Sequence, residues 1–218
     1  MPTVTAQTII SRASVLLQDT NNVRWPQAEL LEWLNDGQRE VVSLRPDAYP
    51  TVGNVTLVAG TRQTLPPEGI MLVDVVRNMG TDGTTPGRAI RKVPREMLDT
   101  HQPDWHSMTS AAATLHYTFD PKAPRTFYVY PPAQADRRVE CLYSTNPPDV
   151  AAVGNVITLE DIYSNALIDY VCFRAYSKDA EHADNAARAA AYRQSFENTL
   201  GLKAQSDAAN VKNPNIKG

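Results

Sequence analysis

Two histidines and two aspartates lie close together in the chain and are of a type that can bind a metal ion. His101 and His106 occupy a stretch without clear helical or strand periodicity, next to Asp99 and Asp104. Their spacing matches neither a common helical metal motif nor a zinc-finger pattern. His116 and His182 are isolated. The sequence therefore predicts exposed loop histidines, with no metal site and no bound cofactor.

No other motif in the sequence indicates catalysis. There is no GxxxxGK[ST] phosphate loop, no GxGxxG turn, no GxSxG elbow and no HExxH helix. A pair of carboxylates suited to glycoside hydrolysis cannot be singled out, because 24 acidic residues allow many such pairs. We therefore expect that the protein is not an enzyme.

The cysteines and aromatic residues are better explained by core packing than by chemistry. Cys141 and Cys172 are far apart and form no CxxC pair, which predicts two buried, reduced thiols. A platform that stacks single-stranded nucleic acid would also use aromatic residues. However, those in the middle of the chain alternate with strand periodicity and have few cations nearby. The aromatic residues in question are Trp25, Trp33, Tyr117, Phe119, Phe127, Tyr128 and Tyr130.

Composition indicates an ordinary globular protein without a drive toward nucleic acid or membranes. The 218 residues are 42% hydrophobic and 21% charged, with a formal net charge of −3. A net negative chain has no overall counterion-release drive toward DNA, and no strong local basic patch stands out. No segment approaches the roughly 20 apolar residues of a membrane span, and no secretion signal is evident. We expect folding in the cytoplasm.

The first 50 residues carry two helical patterns. Ile9, Ala13 and Leu16–Leu17 recur at helical spacing, and a second apolar stripe follows Pro26. This stripe consists of Leu30, Trp33, Leu34, Gly37, Val41 and Leu44. Asn35-Asp36-Gly37 is a typical turn sequence, but the stripe continues in phase across it. The helix is therefore predicted to continue, with Gly37 allowing a neighbouring element to approach closely.

Residues 51–155 have the short alternating patterns of a β-rich module. The apolar run from Ile70 to Arg77 predicts a strand buried on both faces, and Arg138–Tyr143 predicts another. Segments 117–119 and 126–130 flank a proline-containing loop and predict a hairpin. Pro94–Asp99 is expected to form a short helix.

The last third of the chain is helical again. Two helical patterns fill residues 156–202, the second being alanine-rich, and Gly201 is a plausible helix stop. Residues 203–218 are polar and aperiodic, which predicts an extended tail. The predicted fold class is α+β. Helices from residues 1–50 and 156–202 pack as a small bundle, and an antiparallel β-rich module is inserted between them.

The order of these features resembles the head-to-tail adaptor (connector) proteins of tailed bacteriophages. The matching segments include WPQAELLEWLNDGQRE at 25–40, AGTRQTLP at 59–66, REMLDTHQPDW at 95–105 and FYVYPP at 127–132. The closing helix pair from Leu159 to Leu200 also matches. Pro26 departs from the Ser, Thr or Asp cap that is usual in such proteins, although proline is well tolerated in a first helical turn.

The resemblance implies a ring, commonly of twelve subunits, that connects the portal of the head to the nozzle or tube of the tail. Double-stranded DNA would pass through the lumen without being a ligand, and the protein would reside at the head–tail interface of the virion after assembly in the host cytoplasm. The polar tail would contact the portal. Residues expected to do so are Lys203, Asn210, Lys212, Asn213, Ile216 and Lys217. Helix packing or subunit contact is expected at Trp33, Gly37, Ala187 and Ala190.

Other functions remain open at this point. A tail-tube or tail-terminator component would assemble with the tail and not with the portal. A virion-associated hydrolase would need a concave pocket with converging polar groups, and a nucleic-acid-binding module would need a clustered basic face.

Overall fold

The described residues form five α-helices and eight β-strands, so the protein is a mixed α+β protein as predicted. The computed structural model describes residues 2–182 and 184–211. In chain order, the helices are α1 (Ala6–Leu16), α2 (Gln27–Leu44), α3 (Arg95–His101), α4 (Ser164–Lys178) and α5 (Asn185–Val211). The strands are β1 (Pro50–Thr56), β2 (Gly60–Thr64), β3 (Gly69–Met79), β4 (Pro86–Ala89), β5 (Arg91–Lys92), β6 (His116–Phe119), β7 (Thr126–Ala133) and β8 (Arg138–Thr145).

The chain divides into two compact units. The helical unit combines the residues up to Ala48 with those from Pro147 onward, and the β unit consists of Tyr49–Asn146. In the helical unit, α4 packs against α1, α2 and α5. Both ends of the chain therefore contribute helices to one bundle, and the predicted helical bundle is confirmed.

Helix α1 begins at a side-chain cap and buries one face. The Thr5 hydroxyl accepts a hydrogen bond from the Thr8 backbone N–H at 3.3 Å, which satisfies a donor that has no partner within the helix. Ile9, Ile10 and Ala13 are fully buried, whereas Leu16, expected on the buried face, is 47% exposed.

Helix α2 continues through Asn35-Asp36-Gly37, as the apolar stripe predicted. Gly37 lies directly against α4. A Cβ atom at position 37 would lie 2.9 Å from Cδ1 of Tyr170 and 3.3 Å from Cδ2 of Leu167. These distances are shorter than ordinary van der Waals contact, so only glycine allows this approach of the two helices.

Replacing Gly37 by valine is expected to lower the free energy of unfolding by about 2–3 kcal/mol. Overpacking a filled core costs about 1–3 kcal/mol, and valine gains only a few tenths of a kcal/mol over glycine in a helix. Urea titration followed by circular dichroism measures the loss. Gly201→Val is the matched control, because a Cβ at Gly201 meets no atom within 4 Å. A loss as small as that of the control would contradict the close-packing role of Gly37.

Helix α5 extends beyond the predicted stop. It passes through Gly201 and ends at Val211, so the expectation that Gly201 ends the helix is wrong. A glycine in a helix interior costs only about 1 kcal/mol, and Leu, Lys, Ala and Gln after it favour helix formation. Of the predicted tail, residues 203–211 are therefore helical in backbone, and residues 212–218 lie outside the described residues.

The β unit contains two four-stranded sheets. Their strand orders are β1-β8-β3-β4 and β2-β7-β6-β5, with every pair antiparallel except β5 and β6. Residues from both sheets form one core, in which Tyr117, Phe127 and Cys141 are almost completely buried. The predicted hairpin is confirmed as β6 and β7, with Phe119 opposite Phe127. The aromatic residues of the middle block thus contribute to cores, as expected.

Strand β3 is the exception to the predicted burial. The sequence predicted burial on both faces, but only Gly69, Leu72 and Val75 are buried, at every third position. Three register shifts against β8, each of one residue, produce this spacing. Each bulge inserts a residue and rotates the following side chains. The apolar run therefore covers one core face, and Val76 is 38% exposed.

Both cysteines are buried and free, as predicted. Burial raises the pKa of the Cys141 and Cys172 thiols to about 12, so neither is a ready nucleophile at neutral pH.

Among the residues that the structure describes, no helix is long and apolar enough to cross a membrane.

Candidate assembly surfaces

The two residues of α2 singled out from the sequence lie inside the helical unit. Trp33 is 7% exposed, and the Lys178 ammonium of α4 lies 6.0 Å from its ring centroid. Gly37 contacts Tyr170 as described above. Both residues thus join α2 to α4 and are not available at the surface.

The two alanines of α5 singled out from the sequence lie on its outer face. Ala187 and Ala190 are exposed, so they do not pack within the chain. The inner face of α5 is formed instead by Ala189, Phe196 and Leu200. Contact of Ala187 and Ala190 with another subunit stays a prediction.

The residues expected to contact a portal lie at the end of the chain. Lys203 and Asn210 are in the helical backbone of α5. Lys212, Asn213, Ile216 and Lys217 lie outside the described residues.

An apolar groove runs along α1 beside α4. It has a volume of about 390 Å³ and is lined by Ser11, Arg12, Val15, Leu16 and Ile168. Val15 is 63% exposed, although valine is a residue that usually lies inside proteins. The groove is the apolar feature of the helical unit that is best suited to contact another protein.

His106, which follows α3, is held by its neighbours, whereas His101 is exposed and is the last residue of α3 and not part of a loop as expected. The His106 ring stacks on Trp105 at a centroid distance of 3.7 Å, and its Nδ1 lies 2.8 Å from the Thr61 hydroxyl. Asp99 accepts a hydrogen bond from Nε1 of the fully buried Trp105 at 2.9 Å. These contacts give His106 and Asp99 a structural role. Within the described ranges, no group of three or more His, Cys, Asp or Glu residues is arranged to hold a metal.

A cavity in the β unit has a mixed lining. Its volume is about 690 Å³, and its charged residues are Lys92, Arg95, Glu96 and Asp120. The Lys92 ammonium lies 5.6 Å from the ring centroid of Phe119, and Arg95 pairs with Asp99 at 3.2 Å. Its cations are thus engaged in local contacts.

A smaller cavity of about 290 Å³ lies at the edge of the same unit. It is lined by Arg88, Ala89, Arg91, Leu115 and His116. Sequence analysis missed this group because its members belong to three separate segments, β4, β5 and the start of β6.

Charge is divided unevenly along the chain. The β unit contains 10 basic and 9 acidic residues, for a net charge of +1, whereas the remaining residues contain 11 and 15, for a net charge of −4. The acidic character of the protein therefore comes from the sequence outside the β unit.

Comparison with known proteins gives one family. A family model described as SU10 adaptor protein matches residues 4–217. No curated protein matches the chain.

Proposed function

Because the chain belongs to the SU10 adaptor protein family, we propose that it is a structural virion protein that forms a ring between the portal of a phage head and the tail. The observation that carries this proposal is the family match, which covers both the helical unit and the β unit. The segments that resemble head-to-tail adaptors lie within the same range. The proposed role is mechanical and requires no catalytic residue.

Two surfaces of the helical unit support self-association. The groove along α1 presents exposed apolar side chains, Val15 and Leu16, and the outer face of α5 presents the small residues Ala187 and Ala190. Different surfaces on one subunit can join head to tail, and such contacts close into a ring when the rotation between subunits allows it. A ring of about twelve subunits would match the symmetry usual for such adaptors.

The proposed partners are the portal protein on one side and nozzle or tube proteins of the tail on the other. The C-terminal residues from Lys203 onward would contact the portal. A polar segment that orders on a partner can cover a large surface at modest affinity. DNA would pass through the lumen, where the acidic excess opposes retention of the phosphate backbone. The protein would assemble in the host cytoplasm.

Particle mass measured with portal rings from the same phage tests the proposal. Mixing should add a saturable mass equal to the portal symmetry number times the 24.0 kDa subunit. A chain that ends at Leu202 should lose at least about tenfold in portal affinity, equivalent to about 1.4 kcal/mol. This truncation is expected to leave the bundle folded, because it keeps the buried residues Ala189, Phe196 and Leu200 of α5. Arg45 also donates a hydrogen bond to the carbonyl oxygen of Leu200 at 3.3 Å.

Other outcomes point to other functions. If the truncated chain bound portals with full affinity, the C-terminal segment would not be the portal contact. Assembly with purified tail components, but not with portals, would favour a tail-tube or tail-terminator component. No assembly with either would contradict an adaptor role.

A further inference from the structure

The small cavity of the β unit lies beside two exposed edge strands. Strand β4 is the edge of one sheet, and strand β5 is the edge of the other. All residues of both strands are exposed. Arg88 of β4 and Arg91 of β5 line the cavity together with Leu115 and His116.

A partly buried hydrogen-bond network joins the segments that line this cavity. The Asn78 side chain donates to the carbonyl oxygens of Arg88 at 2.9 Å and Thr114 at 2.7 Å. The Thr114 N–H donates back to Oδ1 of Asn78 at 2.8 Å. The Arg91 N–H donates to the Leu115 carbonyl oxygen at 3.1 Å. These hydrogen bonds connect the backbone at Arg88 and Arg91 to Thr114 and Leu115, the two residues that precede His116.

The two arginines at the cavity have no charge partner among the residues described. Neither side chain forms an ion pair or a hydrogen bond with another described residue, whereas neighbouring Lys92 and Arg95 are engaged by Phe119 and Asp99. Guanidinium groups recognise carboxylates and phosphates through paired N–H donors. Two such groups at one cavity leave strong donors unused.

His116 is a third polar residue at the cavity. Its ring lines the cavity and stacks on Tyr130, and Arg91 is its register partner across β5 and β6. Its Nδ1 atom is buried and has no hydrogen-bond partner in the described part of the chain.

We propose that this cavity, the edge pocket, is an anion-binding site that accepts a carboxylate side chain from an acidic segment of a partner protein. Its volume suits one side chain, and its two free guanidinium groups suit one carboxylate. Duplex DNA would instead require a line of cations along the phosphate backbone. The other two cations of residues 86–95 are engaged in local contacts. The proposal does not depend on ring formation, because the pocket lies within one unit of one chain.

Arginines on edge strands also have a simpler use, since charged side chains on an edge prevent unwanted strand pairing. That use explains exposed charge on β4. It does not explain why both arginines and His116 line one cavity.

Fluorescence anisotropy of a labelled hexaglutamate peptide with the full chain tests the edge pocket. The double variant Arg88→Gln/Arg91→Gln should bind the peptide at least about tenfold more weakly than the unchanged protein. The matched control is Arg62→Gln/Lys122→Gln, which removes the same charge from two exposed positions of the same unit that form no ion pair with a described residue. It should change the affinity less than about twofold. A hexaglutamine peptide should not bind.

Three results would overturn the proposal. Equal losses in the two double variants would show diffuse charge attraction and no pocket. Absence of hexaglutamate binding to the unchanged, folded protein would exclude the site. Tighter binding of a short DNA duplex than of hexaglutamate, with the same dependence on Arg88 and Arg91, would make the pocket a nucleic-acid contact. None of these results bears on portal attachment, which the particle-mass experiment measures separately.

Discussion

Replacing Phe196 by alanine should lower the free energy of unfolding by about 3–5 kcal/mol, which is the cost of removing a fully buried aromatic side chain. Phe196 is 0% exposed on the inner face of α5. Its ring centroid lies 5.3 Å from that of Tyr170 of α4, and the Arg193 guanidinium lies 5.4 Å from it. Truncation would leave a cavity between α4 and α5 that these neighbours cannot fill. Urea unfolding followed by circular dichroism measures the change.

Gln194→Ala is the control for this substitution. Gln194 lies on the same helix and is exposed, so its truncation should change stability by no more than about 0.5 kcal/mol. A loss below about 1 kcal/mol for Phe196→Ala would mean that α5 does not pack on α4 as described.

Replacing Gln38 by leucine should cost about 2–4 kcal/mol, although leucine is the more hydrophobic residue. Gln38 is 1% exposed. Its Oε1 accepts hydrogen bonds from the backbone N–H groups of Thr158 at 2.7 Å and Leu159 at 3.2 Å. Leucine removes this acceptor, and each buried donor left without a partner costs about 1–3 kcal/mol. Thr158 is half-buried, so water offsets part of its loss.

The exposed Gln194 again provides the matched control, now as Gln194→Leu. It makes the same chemical change without removing a hydrogen bond of the buried core, and a change within about 0.5 kcal/mol is expected. Should Gln38→Leu prove neutral or stabilising, the Gln38 side chain would not be holding residues 158–159 to α2. Hydrogen exchange at the Thr158 and Leu159 amides provides a local readout, since both should exchange faster in Gln38→Leu.

The sequence predicted the elements whose signals are local and periodic. Helix α2 continues through Asn35-Asp36-Gly37 because burial of Leu34 and Val41 on either side outweighs the turn preference of that triplet. The β6–β7 hairpin also has a local signal, since both strands alternate and proline residues fill the loop between them. Short-range patterns of this kind need no knowledge of the partner element.

Features set by distant partners were not predictable in the same way. Gln38 accepts hydrogen bonds from Thr158 and Leu159, which are 120 or more positions away in the chain. Nothing in the surrounding α2 sequence indicates this partner segment. The bulges of β3 depend on its pairing with β8, which the sequence of β3 does not reveal. The apolar run alone therefore predicted a strand buried on both faces. Ala189 and Ala190 are chemically identical, and only the packing of α5 on α4 decides which of them is buried.

The candidate sites also depend on contacts between distant segments, which the sequence does not indicate. The edge pocket is lined by Arg88, Arg91 and His116. The side chain of Asn78, in β3, joins two of the lining segments by hydrogen bonds to the carbonyl oxygens of Arg88 and Thr114. The sequence analysis did not single out these residues, because their proximity and lack of partners depend on the fold. The family, in contrast, was recognisable from the order of several short segments, because that order survives where no single motif is specific.

The discontinuous helical unit has a consequence for the order of events during synthesis. A ribosome makes the chain from the N-terminus, and domains generally fold as they emerge. Helices α1 and α2 are made first, yet the surfaces that they bury against α4 remain uncovered until the whole β unit has been translated. Phe196 and Leu200, which complete the bundle, follow near the end. A chain that is stalled or prematurely terminated in the β unit therefore leaves the apolar faces of α1 and α2 without the helix that covers them.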